Sequence, residues 1–207
     1  MIKAWMRVVC LAAAVLAGVA GLSAPSRAEA TDPAVKPVQQ LCDALIDVMK
    51  NAKTLGMQGR YDKLKPVIEQ TFDLADMTKY SVGPVWMTIS PQDHESLEAA
   101  IERYTLANYA SNFDGYDGEK FVVDPTVQVR GSDRIVSTKL VTKTETHPLA
   151  YKMRQIGGNW RVLDVYYENS ISQLAKQRSD FGATVQSGGA PALVKKLNAL
   201  SDKLMKG

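Results

Sequence analysis

At Gly118 the spacing of apolar residues changes from a helical repeat to strict alternation, and that switch restricts the folds open to this chain. Before it, residues 32–57 place Val38, Leu41, Cys42, Leu45, Met49 and Ala52 along one helical stripe, and Pro33 suits the first turn. A second short helix is expected over residues 61–70. A third segment, residues 73–86, carries Leu74, Met77, Tyr80, Val85 and Trp86. Ser90-Pro91-Gln92-Asp93 then reads as a helix start, with Ser90 as the cap and Pro91 in the first position. That helix is expected to run to about Asn112, with Leu97, Ile101 and Tyr104 on one face. Asp114-Gly115-Tyr116-Asp117-Gly118 ends it as a turn. The acid spacing and closing Glu of a calcium loop are missing from this stretch.

After Gly118 the period is two. Phe121-Val122-Val123 and residues 126–130 form one extended stretch interrupted at Pro125. Gly131-Ser132-Asp133 turns the chain, residues 134–143 form a second strand, and Thr146-His147-Pro148 turns it again. Leu149, Tyr151 and Met153 alternate with Lys152 and Arg154, so the third strand has one apolar and one polar face. Gly157-Gly158-Asn159 is a hairpin signal. A fourth strand follows over residues 160–167, with Trp160, Val162, Asp164 and Tyr166 expected on one face. Two helices close the chain, one over residues 170–180 and one from Pro191 with Leu193, Leu197, Leu200 and Leu204 in a stripe. Short turns make the four strands an antiparallel meander. The expected class is α+β: a curved four-stranded meander with N- and C-terminal helices packed on one face.

Residues 1–30 read as a cleavable secretory signal peptide. Lys3 and Arg7 precede an uncharged run from Val8 to Leu22, and Ala28-Glu29-Ala30 offers small residues where a signal peptidase cuts. The run is short for a membrane span. The mature domain is then residues 31–207, exported to the periplasm if the source is a bacterium. Without the leader, Lys plus Arg number 22 against 21 acids, a net charge of about +1. Strong nucleic-acid binding is disfavoured, because it needs a concentrated basic face. Cys42 alone remains in the mature chain and makes no intramolecular disulfide; it reads as a small buried hydrophobe.

Catalytic signals are sparse. His94 and His147 have no partners at metal-ligand spacing, no serine stands in a nucleophile elbow, and no glycine loop suits a phosphate. No cofactor is implied. Asp164, in an otherwise apolar strand, is the one candidate acid or base; it could act with a tyrosine, or simply be held by hydrogen bonds.

Trp160-Arg161-Val162-Leu163-Asp164-Val165, Glu168-Asn169-Ser170-Ile171-Ser172 and Arg178-Ser179-Asp180-Phe181 form an ordered signature, followed by Gly188-Gly189, Leu193 and Lys195-Lys196-Leu197. The pattern resembles the MlaC-type family, also called toluene-tolerance auxiliary proteins. Phe72-Asp73, Trp86 and the helix after Ser90 fall in the family's order, so the likeness spans residues 35–205. Asn169 stands where the family usually has Gly, and this stretch looks more like the hopanoid-associated branch, HpnM. The resemblance implies an NTF2-like cone whose sheet and helices enclose an apolar cavity for lipid. It also implies a periplasmic carrier, not an enzyme, that passes a hopanoid or phospholipid between membrane-bound partners of the inner and outer membranes. The expected lining is Leu149, Tyr151 and Met153 on the strand face with Tyr166 opposite, Leu74, Met77, Trp86 and Tyr104 from helices, and Ile171 and Leu174 closing one side. An enzyme built on Asp164 and a tyrosine, and a cell-envelope adaptor, are the alternatives.

Overall fold

The computed structural model describes residues 31–206; the expected leader lies outside them. Helix α1 (Val35–Lys50) buries Val38, Leu41, Cys42, Leu45, Val48 and Met49, the stripe its spacing predicts. It stops earlier than expected. Asn51 closes it by donating Nδ2 to the Asp47 carbonyl at 2.8 Å. Helix α2 (Ala52–Thr71) starts at once and absorbs the expected 61–70 helix, with a break at Gly56, whose φ of 62° is left-handed. Its Arg60 is buried and donates Nε to the carbonyl of Ala110 at 2.8 Å, so one side chain serves an end of another helix.

Helix α3 (Leu74–Val82) is capped by Asp73, whose Oδ1 accepts the Asp76 N–H at 3.0 Å. A 3-10 turn over Gly83–Met87 completes the segment. Helix α4 (Pro91–Asn112) begins as expected: Ser90 Oγ accepts the Asp93 N–H at 3.1 Å.

The strands are β1 (Lys120–Arg130), β2 (Asp133–Val141), β3 (Thr146–Ile156), β4 (Asn159–Tyr167) and β5 (Ile171–Ser172), paired antiparallel in chain order. The sheet thus has five strands, not four. The two-residue β5 is too short to carry a period of its own. Pro125 falls in the register shift between Val123 and Val127, as its missing N–H requires. Thr146-His147-Pro148 is strand, not turn. Pro148 pairs with Lys139, and β4 pairing begins only at Leu149, so on that side β3 is still an edge that tolerates proline. Gly157 and Gly158 have φ of 56° and 84°, the two left-handed residues of a tight hairpin.

Helix α5 (Gln173–Lys206) is two helical pieces joined at Gly189, φ 70°. Two final helices were expected, but the first continues past Asp180.

Apolar side chains collect in two clusters. The first joins α1, α2, part of α4 and one sheet face, including Leu41, Leu45, Phe72, Leu106, Val136, Tyr151, Met153 and Val162. The second is purely helical and joins Val82, Leu97, Ile101, Phe181, Leu193 and Leu197 from α3, α4 and α5. Helix α4 serves both with successive turns. Among the described residues no helix is long and apolar enough to cross a membrane.

Candidate functional site

The first cluster rests on a ladder of cross-strand rows. Val123, Thr138, Leu149 and Tyr167 stand opposite one another across four strands, and Val127, Val136, Tyr151 and Val165 form the next row. Strand periodicity puts both rows on one face. Leu149, Tyr151 and Met153 are buried there, as their alternation predicts.

Tyr166 is not on that face. Lys152 pairs with Asp164, while its neighbour Met153 pairs with Val162, so β4 carries one extra residue at this point. A bulge of this kind reverses side-chain parity. Trp160 and Val162 therefore share a face with Val165 and Tyr167, and Asp164 and Tyr166 turn to the other. The simple alternation expected along residues 160–167 is corrected accordingly.

Of the remaining expected lining residues, Leu74, Met77 and Leu174 pack in or against the first cluster. Trp86 and Tyr104 pack against the second. Trp86 stacks on His94 at 3.9 Å, and His94 Nε2 donates to the Trp86 carbonyl at 2.8 Å; Tyr104 meets Phe181 edge-on. Ile171 is 54% exposed on β5.

A groove of about 370 Å³ opens between α1 and β1. Cys42, Ile46 and Phe121 form its apolar part, and Asp43, Asp47, Lys50, Tyr116, Glu119 and Lys120 surround them. Lys50 lies over the Tyr116 ring at 5.3 Å from its centroid, and Asp47 pairs with Lys63. Burial, with help from the Asp43 charge, pushes the Cys42 thiol up to about 12. Tyr109 from α4 packs on the same cluster between Phe72 and Phe113. The sequence pattern marks Cys42 only as a small core residue and does not single out Tyr109. The signal for Tyr109 was a second stripe on α4, Leu106, Tyr109 and Phe113, offset from the Leu97–Ile101–Tyr104 stripe.

A smaller pocket of about 160 Å³ lies on the opposite sheet face, lined by Tyr80, Lys152, Arg154, Leu163, Asp164 and Leu174. Leu174 is the one expected lining residue that borders either opening. Its charged groups serve the fold. Asp133 accepts Arg154 Nε at 2.7 Å and Nη2 at 3.0 Å, and Lys152 Nζ lies 3.1 Å away. Asp164 Oδ2 accepts the Ser172 hydroxyl at 2.6 Å, and Oδ1 accepts the Leu174 N–H at 3.0 Å. Ser172 Oγ in turn accepts the Ala175 N–H at 2.9 Å. Asp164 therefore anchors the start of α5. Burial and the Asp164 charge shift the Tyr166 phenol upward. Among the described residues no cluster of His, Cys, Asp and Glu suits a metal.

A family model described as "MlaC protein" matches residues 39–199. The chain belongs to the MlaC family. Among curated proteins none matches the sequence significantly. Among solved structures, the chain is similar to a phospholipid-binding protein from Ralstonia solanacearum in complex with a phospholipid. The TM-score is 0.73 at 16% identity, over 84% of this chain and 99% of that one. At that identity the likeness establishes the fold: an antiparallel five-stranded sheet with helices, as found in this MlaC-family chain.

Within the family signature, Asn169 has φ 55° and Glu168 φ 49° in the turn between β4 and β5. Asparagine is the side-chain-bearing residue that enters the left-handed region most readily. Asn in place of Gly here is a backbone-compatible exchange on an exposed turn. The branch assignment drawn from it gains no support from the interior.

Proposed function

We propose that this MlaC-family protein is a lipid carrier of the bacterial periplasm, exported by a cleaved leader, and that it works by binding, not catalysis. The observation that carries the reading is the α1–β1 groove, whose apolar floor of Cys42 and Phe121 leads into the cluster on the sheet face in a chain of this family. A phospholipid in a protein of the same fold supports the cargo class.

The physical logic is desolvation. Each CH₂ taken from water is worth about 0.8 kcal/mol, so one acyl chain supplies on the order of 10 kcal/mol. The groove is near the small end of ligand pockets, which run from roughly 300 to 1,000 Å³. A lipid tail therefore seats by parting α1 from β1, and the polar head stays among Asp43, Lys50, Glu119 and Lys120 at the rim. Leu149, Tyr151, Met153, Leu74 and Met77 are the side chains such a tail would meet. The cargo is a hopanoid or a phospholipid, handed between inner- and outer-membrane partners. Native mass spectrometry and lipid extraction of the exported protein test the reading: near-stoichiometric lipid is expected. A protein that carries none and takes up none from vesicles would overturn it.

A further inference from the structure

Thr138 is 2% exposed, and its Oγ1 is the buried side-chain polar atom found without a hydrogen-bond partner among the described residues. A buried hydroxyl left unpaired is costly, and folded proteins leave few of them. Its position is informative. Thr138 lies in the row Val123–Thr138–Leu149–Tyr167, next to the row that holds Tyr151. Phe121, on the groove floor, is two residues along β1 from Val123 and on the same face.

Other polar atoms gather there from separate elements. Burial raises the Tyr151 phenol well above its ordinary value, and Tyr109, Cys42 and Tyr167 each add to the rise. Tyr109 is raised by burial too, with Tyr167 and Cys42 contributing. Cys42 of α1 and Tyr151 of β3 belong to the cluster on this sheet face and Tyr109 of α4 packs against it, so two neutral hydroxyls and a thiol share that interior, while Tyr167 is half exposed at its edge. The two sheet rows contain no Lys, Arg or His; His147 and Arg134 stand only in the rows that flank them, opposite Leu140 and Met153. A charged phosphate placed against them would lose its hydration without a counter-charge, whereas a neutral oxygen needs only a hydrogen-bond partner.

We propose that Thr138, with the phenols of Tyr151 and Tyr109, forms a polar subsite at the inner end of the groove that takes a neutral oxygen of an otherwise apolar ligand. This rests on the lipid-binding reading and deepens it. It requires cargo with a hydroxyl or carbonyl inside the buried part, while any charged group stays at the rim. Two sources fit that chemistry: the hydroxyl of a polycyclic lipid and the ester carbonyl of a glycerophospholipid.

The test uses the mature chain and four probes: a hydroxylated triterpene, the hydrocarbon of the same skeleton, an ester-linked phospholipid and its ether-linked analogue. Affinities are measured for wild type, Thr138→Val and Thr138→Ser. Wild type should prefer the oxygen-bearing member of one pair by about tenfold, the worth of one buried hydrogen bond. Which pair shows the preference identifies the source. Thr138→Val should abolish it, and Thr138→Ser should keep it. Thr138→Val should also fold at least as well as wild type without lipid, since it removes an unpaired hydroxyl. Equal affinities of wild type and Thr138→Val for every probe would overturn the subsite while lipid binding stands. Failure of wild type to bind any probe would overturn both.

Discussion

The guanidinium of Arg178 lies across the α-carbon of Gly83, where an added β-carbon would stand 2.5 Å from Arg178 Cζ. Arg178 Nη1 also donates to the carbonyl of Tyr80 at 3.0 Å, so α5 holds the end of α3 through one side chain. Gly83 has φ 81°, in the region that favours glycine. Gly83→Ala should therefore destabilise the protein by about 1–3 kcal/mol. Adding Arg178→Ala should recover the steric part and leave the backbone strain. Chemical denaturation of the four proteins measures this, and an unchanged midpoint for Gly83→Ala would refute the account.

Acid stability should depend on Asp133. The Arg154 hydrogen bonds, more than the Lys152 contacts, hold its carboxyl below the ordinary range despite burial. A carboxyl depressed by folding contributes its full stability above its unfolded value of about 3.9 and loses it as pH falls through the folded value. Asp133→Asn should cost roughly 1–3 kcal/mol at neutral pH. Its stability should then fall less steeply than that of wild type below pH ~4. Parallel curves for the two proteins across that acid range would show that Asp133 is not responsible.

The pair Asp164–Ser172 gives a second stability test. Asp164→Ala strands the Leu174 N–H and the Ser172 hydroxyl, at a cost of about 1–3 kcal/mol. For a chain of this size each kcal/mol lowers Tm by about 2–4 °C. Asp164→Asn keeps an acceptor and should lose less. Lipid occupancy should stay unchanged in any variant that folds. If Asp164→Ala melted with wild type, the anchoring role of this carboxylate would be wrong.

Cys42 should be nearly inert in the native protein. With the thiol pushed up to about 12, almost no thiolate exists at pH 8. Labelling by a small thiol reagent should be orders of magnitude slower than in denaturant, and its rate should report α1 lifting from β1. Equal rates in native and denatured protein would contradict the burial of Cys42 on the groove floor.

Several features were legible in the chain because their causes are local. The change of period at Gly118 separates helices from strands, Ser90 with Pro91 starts α4, Pro125 breaks β1, and Gly157-Gly158 closes a hairpin. Each depends on a few adjacent residues and on backbone preference alone. Family membership was likewise readable from ordered motifs along the chain.

What tertiary structure alone decided depends on residues far apart in sequence. Whether Pro148 lies in a turn or a strand turns on where β4 stops pairing with β3. The extra residue in β4, which sends Tyr166 and Asp164 to the face opposite Tyr151, shows only against β3, because parity along one strand cannot reveal a register shift with its neighbour. Trp86 and Tyr104 look as apolar as Tyr151, yet they belong to a helical cluster built from α3, α4 and α5. The sequence determined which residues are apolar and with what local period. Packing decided which face they cover and that Cys42 and Phe121 should meet at a groove, since burial is a property of the whole assembled surface.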